Sequence, residues 1–265
     1  MSTTDTITSI ANRYARYSAV QIPTCLFDQD DMFEGRIDNY LDIGRSAIDL
    51  ISRAMLAADV LTVASVLDLP SGAGRVTRHL RAFFPEAKLF VCDIAQDKAR
   101  YAASQFDAEY LEPSPTFSRP SSKQFDLIFT GSLLTHLDEA LTRAALNWIY
   151  YALAPNGLAI VTTGGRMQMV VGRSVKDDRQ WEQIYRGVLD KGFNFYPLVE
   201  PLCGSVPYGS THLTPSWLMK VLEQNDGLRV VGFQEAAWAG HQDALAMQKR
   251  PLSVKRPHAD LPMEV

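Results

Sequence analysis

The chain has 265 residues, of which 46% are hydrophobic and 21% charged, and its formal net charge is −4. This balance suits one large α/β domain and excludes a disordered chain, while no Lys/Arg stripe marks a nucleic-acid binder and no apolar run of about 20 residues marks a membrane span. Cys25, Cys92 and Cys203 are far apart and odd in number, so they give neither a metal spacing nor a disulfide framework, and a cytoplasmic setting is expected.

Residues 1–20 are Ser/Thr-rich and lack the apolar core of a signal peptide. The first periodic segment is 36–58, where Ile37, Tyr40, Leu41, Gly44, Ile48, Ile51, Met55 and Ala58 recur at helical spacing. Residues 1–58 therefore read as an N-terminal helical segment. Val63–Leu69 is an apolar run suited to a strand covered on both faces. It breaks at Pro70-Ser71-Gly72-Ala73-Gly74, after which 75–84 reads as a helix. A second strand, 88–92, ends at Asp93; a helix over 95–106, a short strand at 108–111 and a strand within 123–130 follow. A helix over 137–153 leads through the Pro155-Asn156-Gly157 turn to a strand ending at Thr163.

This alternation predicts a doubly wound, mostly parallel sheet with helices on both faces. After Gly164 it stops. Residues 164–213 read as an inserted substrate cover with one helix near 178–189. Thr214-Pro215 then opens a helix through Leu222, since Thr caps well and Pro suits the first turn. Two final strands, 228–238 and 244–247, are joined by a link too short for a crossover, so they pair antiparallel. Residues 251–265 read as a loose tail on a single domain spanning 1–265.

The chemistry begins at Asp68-Leu69-Pro70-Ser71-Gly72-Ala73-Gly74. A strand ending in a Gly-rich turn that opens a helix forms a ligand cradle at the carboxyl edge of a sheet. The helix N-terminus offers N–H groups to an anion, either a dinucleotide pyrophosphate or a carboxylate. Counting from Gly72, the third glycine of a dinucleotide fingerprint is replaced by Thr77. Asp68 would repel a pyrophosphate but attract an ammonium group. Asp93, 19 residues after Gly74, stands where a carboxylate accepts ribose hydroxyls. Together these residues favour a ligand carrying ammonium, carboxylate and nucleoside.

The segments 66–80, 90–94, 125–137 and 153–163 resemble the successive core motifs of class I S-adenosylmethionine-dependent methyltransferases. The usual D-x-G-x-G-x-G has Pro70 at its first glycine and Ser71 where Cys is common, while Gly72 and Gly74 are kept. The resemblance implies a Rossmann-like, seven-stranded sheet whose last strand is antiparallel, with S-adenosyl-L-methionine as cofactor. It assigns cofactor contacts to Asp68, Pro70, Ser71, Gly72, Gly74, Asp93, Ile94, Thr130, Gly131 and Ser132, and points the methyl group toward Thr135 and His136. A looser likeness, carried by Tyr208-Gly209-Ser210-Thr211, Trp238 and His241-Gln242-Asp243, is to bacterial methyltransferases associated with sugar modification. The implied partner is a small molecule bearing a hydroxyl.

A hydroxyl acceptor gains from a general base, and His136 and His241 are the candidates. Each also has a bland reading, His136 as a cap or support and His241 with Asp243 as turn residues. Asp126 is expected to be structural. Arg166, Arg173 and Arg179 are expected to form a solvated face of the insertion, the alternative being bidentate hydrogen bonds to an anionic substrate. The aromatic residues Trp181, Tyr185, Phe193, Phe195, Tyr196 and Tyr208 either line an apolar acceptor site or pack the cover onto the sheet. Two rival functions stand beside transfer: a domain that binds the cofactor without catalysis, and an NAD-dependent oxidoreductase.

Overall fold

A computed structural model describes residues 3–173, 177–198 and 206–250. Among these, eight helices and nine strands run in the order α1 (Thr3–Ser18), α2 (Ile37–Ala58), β1 (Ser65–Asp68), α3 (Thr77–Phe83), β2 (Lys88–Val91), α4 (Gln96–Gln105), β3 (Ala108–Tyr110), β4 (Phe125–Thr130), α5 (Glu139–Ala152), β5 (Leu153–Thr163), α6 (Arg166–Arg173), α7 (Asp178–Lys191), β6 (Phe193–Pro197), β7 (Gly209–Leu213), α8 (Pro215–Leu222), β8 (Leu228–Trp238) and β9 (Gln242–Lys249). The main sheet has the order β3-β2-β1-β4-β5-β9-β8. The first five strands are parallel, and β9 runs antiparallel to both neighbours. The predicted seven-stranded Rossmann-like sheet is therefore observed.

Period-two alternation divides each central strand between two cores. Val66, Leu127, Phe129, Leu158 and Ile160 face α1, α2 and α3, where Ile48, Ile51, Met55, Leu80 and Phe83 complete one buried cluster. Leu67, Ile128, Ala159 and Val161 face the other way, onto Leu146 and Ile149 of α5 and Leu218 of α8. Because both faces are covered, these strands read as continuous apolar runs. Asp126 breaks one run for a structural reason: its Oδ2 accepts from the Ala64 and Ser65 N–H groups and the Ser65 hydroxyl, fixing the entry to β1.

The cap predicted at Thr214 is present, its Oγ1 accepting from Trp217 N–H at 3.2 Å. Asp138 caps α5 in the same manner through Leu141 N–H at 2.8 Å. Helix α1 shows as a polar stretch in composition, yet Thr6, Ile10 and Tyr17 share one buried face at helical spacing. The inserted segment contains more structure than its one expected helix: α6, α7 and a separate two-stranded ribbon of β6 and β7. The tail, Arg173's side chain and Cys203 lie outside the described residues. Among those described, no helix is long and apolar enough to cross a membrane, and no His/Cys/Asp/Glu cluster could hold a metal.

Candidate active site

The carboxyl ends of β1, β2 and β4 converge on a cavity of about 560 Å³, the position at which open α/β sheets bind ligands. Asp68 sits at the tip of β1 and is 2% exposed. Its Oδ2 accepts from the Thr77 hydroxyl at 2.6 Å, and the Thr77 N–H donates to the same carboxylate. Thr77 occupies the third-glycine position, so the residue that spoils a dinucleotide fingerprint here clamps the acid. Burial pushes the Asp68 carboxyl up to about 7, with the nearby Asp93 charge adding to the shift. A cationic ligand group would offset that cost.

Asp93, at the tip of β2, accepts from Gly72 N–H at 2.7 Å through Oδ2 and from Ala95 N–H at 2.9 Å through Oδ1. Burial raises its carboxyl, while the two N–H groups hold it down. The turn between the two acids keeps strand-like pairing despite Pro70: Leu69 N–H donates to Phe129 O and Ser71 N–H to Cys92 O. Gly72 has φ +50 and an added Cβ would meet nothing within 4 Å, leaving bare backbone at the cavity wall. Gly74 has φ +88, and its missing Cβ makes room for the Phe106 ring, so it serves packing of the turn onto α4.

The helix N-terminus does not act as anticipated. Helix α3 begins at Thr77, and its first N–H groups are engaged by Asp68, Gly74 O and Val76 O. The anion-binding role expected for it therefore has no free donors there.

The opposite wall is assembled from distant segments. His136 lines the cavity and stacks on Tyr208, with ring centroids 4.6 Å apart at 17°. Its Nδ1 lies 2.9 Å from the Gly209 carbonyl oxygen. A carbonyl can only accept, so Nδ1 carries the proton and Nε2 is left as the ring's acceptor. Burial lowers the imidazole's affinity for a second proton, keeping the ring neutral. Ser132 is held in left-handed backbone geometry (φ +59) by three hydrogen bonds. Its N–H donates to Thr162 Oγ1, its Oγ accepts from Gln242 Nε2 at 2.8 Å, and its carbonyl accepts from Thr135 Oγ1. Thr162 in turn donates to Gln242 Oε1 at 2.6 Å.

Residues 67–159 match the model of a family described as "Methyltransferase domain". Over that stretch the chain resembles a methyltransferase domain. Solved methyltransferases share its fold over most of its length. The DhpI–SAH complex is 17% identical, covers 93% of this chain and 97% of its own, and has a TM-score of 0.54. A 1,6-didemethyltoxoflavin-N1-methyltransferase from Burkholderia thailandensis, with 1,6-didemethyltoxoflavin and S-adenosylhomocysteine bound, is 15% identical over 95% and 92%, with a TM-score of 0.53. An S-adenosylmethionine-dependent methyltransferase from Clostridium acetobutylicum is 12% identical over 93% and 99%, also at 0.53. At such identities the likeness is one of fold. Among curated proteins, none matches the chain.

Asp68, Pro70, Ser71, Gly72, Asp93, Ile94, Gly131, Ser132 and His136 all line the cavity. Gly74, Thr130 and His241 do not. Thr130 is fully buried beneath it, and His241 Nδ1 is engaged by Ala239 O at 2.8 Å in the turn between β8 and β9. Of the cover's aromatic residues only Tyr208 reaches the cavity. Phe193 and Phe195 pack on the sheet, and Trp181 and Tyr196 on the small core of α6 and α7. Arg166 pairs at the surface with Glu235. The cavity's far wall was not anticipated: the loop after β3 forms it with Glu112, Phe117 and Arg119, together with Trp148. Its signal in the sequence is a dense run of Pro and Ser between two strands.

Proposed function

We propose that this methyltransferase takes its methyl group from S-adenosylmethionine and delivers it to a hydroxyl of a small acceptor, with His136 as general base. The cofactor fits the residues present. Asp68 is a buried carboxylate in need of a cation, Asp93 is an acceptor one strand away, and the wall between them at Gly72 has no side chain. In this reading Asp68 takes the ammonium, Asp93 the ribose hydroxyls, and Ile94 with Leu111 covers the base. Gly131 and Ser132 complete the floor, and Pro70 and Ser71 the turn.

When bound, the cofactor supplies an electrophilic methyl on a sulfonium. The chain's own task is alignment and proton removal. The observation that carries the base assignment is the Nδ1 contact with the Gly209 carbonyl, which fixes the tautomer whose Nε2 can accept a proton. Stacking on Tyr208 fixes the ring plane. His241, engaged in its turn away from the cavity, is not given this role. Looseness of the likeness to sugar-modifying enzymes leaves the acceptor class at hydroxyl-bearing small molecules.

The test is calorimetry with S-adenosylmethionine and S-adenosylhomocysteine, followed by transfer assays over a panel of sugars and phenols. His136→Asn should keep cofactor affinity and lose roughly 10²–10⁴-fold in kcat. In the wild type, kcat should fall as pH drops through a value below 6.5, because protonation removes the acceptor on Nε2. Undiminished turnover in His136→Asn removes the histidine from the mechanism, and absence of cofactor binding removes the whole reading.

A further inference from the structure

Among the described residues, two arginines that line the cavity have no ion pair: Arg119 donates to the Pro113 carbonyl, whereas Arg75 has no hydrogen-bond acceptor. Arg75 lies between the Gly72–Gly74 turn and α3, and its side chain lines the cavity. Its guanidinium carbon stands 5.8 Å from the ring centroids of both Tyr40 and Trp238. Two aromatic rings from α2 and β8 thus hold it in place, an arrangement that favours the planar, weakly hydrated guanidinium. Among the described residues it makes no hydrogen bond and no ion pair, so its five N–H donors are unspent.

Two of the carboxylates nearby are committed elsewhere. Asp30 accepts from the Tyr40 hydroxyl at 2.6 Å and from Met32 N–H at 3.1 Å. Asp68 is clamped by Thr77. Burial lowers the Arg75 proton affinity even though Asp30, Glu34 and Asp68 raise it, so those acids do not fully compensate the charge. A half-buried guanidinium with unused donors facing a ligand cavity is a receptor for a planar oxyanion. The α3 N-terminus, the other anion receptor of such a turn, is already occupied by Asp68.

We infer that Arg75 is the anion-binding residue of this cavity, taking a carboxylate or comparable oxyanion on its guanidinium. The inference rests on the cavity being the ligand site proposed above. The anion has two sources, the amino-acid carboxylate of the cofactor or an acidic group on the acceptor. In either case the guanidinium selects for an anionic ligand and against its neutral isostere.

Two ligand pairs separate these sources, titrated by calorimetry into the full chain, Arg75→Met and Arg75→Lys. The first pair is S-adenosylhomocysteine and its decarboxylated counterpart. The second is benzoate and benzamide, with and without saturating S-adenosylhomocysteine. The wild type should prefer the anionic member of one pair by about 10- to 100-fold. Arg75→Met should erase that preference, and Arg75→Lys should retain only part of it because the bidentate fork is lost. Should the Met variant fail to fold, a several-fold drop in Arg75→Lys supports the inference equally. A preference in the first pair assigns the anion to the cofactor, and one in the second to the acceptor. No preference in either pair, or a preference unchanged in the variants, overturns the inference. Equal binding of both nucleosides leaves the proposed function standing, whereas binding of neither ends it and leaves the benzoate pair to decide Arg75 alone.

Discussion

The cavity's two walls come from stretches of chain organised on different scales. On one wall the key contacts are short in sequence: Thr77 to Asp68 spans 9 residues and Gly72 to Asp93 spans 21. On the other, His136 reaches Gly209 across 73 residues and Gln242 reaches Ser132 across 110. The first wall is set by one strand, one turn and the next strand, all packed by local alternation. The second exists only after the sheet has closed around β5 and β9 and the inserted ribbon has docked. On the proposed function, the local wall serves the cofactor and the composite wall the acceptor, which would put specificity where the fold must be complete first.

The largest expected effect of a single change falls on the local wall. Asp68→Asn removes the charge positioned for an ammonium at the β1 tip and should weaken S-adenosylhomocysteine binding roughly a hundred-fold or more. The same change should raise the stability of the ligand-free protein. The native Asp68 carboxyl is raised from 3.8 to about 7. Between those values the folded state binds a proton that the unfolded state releases, so stability falls as pH climbs from about 4 to 7 and the penalty is complete above 7. At pH 8, Asp68→Asn should melt roughly 2–4 °C higher, about 1 kcal/mol. Wild-type affinity should decline as pH drops below about 7. Thermal melts and calorimetry over pH 5–8 check both signs, and a variant that binds normally while melting lower contradicts the electrostatic reading of this wall.

How legible each wall was in the residues follows from the same difference in scale. The alternation of strands and helices, the antiparallel pairing of the last two strands, the cap at Thr214 and the structural role of Asp126 were readable because period-two and period-3.6 patterns and cap signals are local. Asp68, Gly72 and Asp93 were readable because a turn motif fixes their spacing. The Gln242–Thr162–Ser132 network was not, since a Gln opening one strand and a Thr near the end of another carry no pattern that pairs them. Helix α1 was hidden by its polar composition, as its buried face holds only Thr6, Ile10 and Tyr17 among the residues that repeat. Arg75 read as the first residue of a helix, and only the approach of Tyr40 and Trp238 shows it as part of the cavity.

Next in size come the two glycines of the turn, which the motif writes alike and the structure separates. Gly74→Ala places a methyl against the Phe106 ring at φ +88 and should destabilise the protein by about 2–4 kcal/mol. Gly72→Ala meets open space at φ +50, so only the backbone cost of about 1–2 kcal/mol applies. Its methyl should nevertheless lower ligand affinity, which Gly74→Ala should do only through instability. Denaturant melts with and without S-adenosylhomocysteine separate the two. Equal stability losses would mean that the turn has no packing side. On the composite wall, Gln242→Leu leaves the Ser132 and Thr162 hydroxyls without their partner at about 1–3 kcal/mol. The loss should appear as a higher KM for the cofactor together with a lower Tm, because Ser132 lines the cavity in a geometry that the network sustains.

The smallest effect is expected at His241, and its smallness is informative. His136 and His241 are both histidines that follow a strand near the sheet's carboxyl edge, and the turn residues Gly240 and Asp243 beside His241 already place it second. Their surroundings separate them further. Each binds a backbone carbonyl through Nδ1, at 2.9 Å for His136 and 2.8 Å for His241. The difference is span: His241 bonds Ala239 two residues back and closes its own turn, whereas His136 bonds across to Gly209 and lines the cavity. A turn histidine can be exchanged for Asn, which supports the same local bond, so His241→Asn should change stability by no more than about 0.5 kcal/mol and leave kcat untouched. Measured beside His136→Asn on one acceptor, it isolates the contribution of position from that of the imidazole. If His241→Asn were instead the variant that lost turnover, the base would belong to the β8–β9 turn, and the composite wall would have to be redrawn around it.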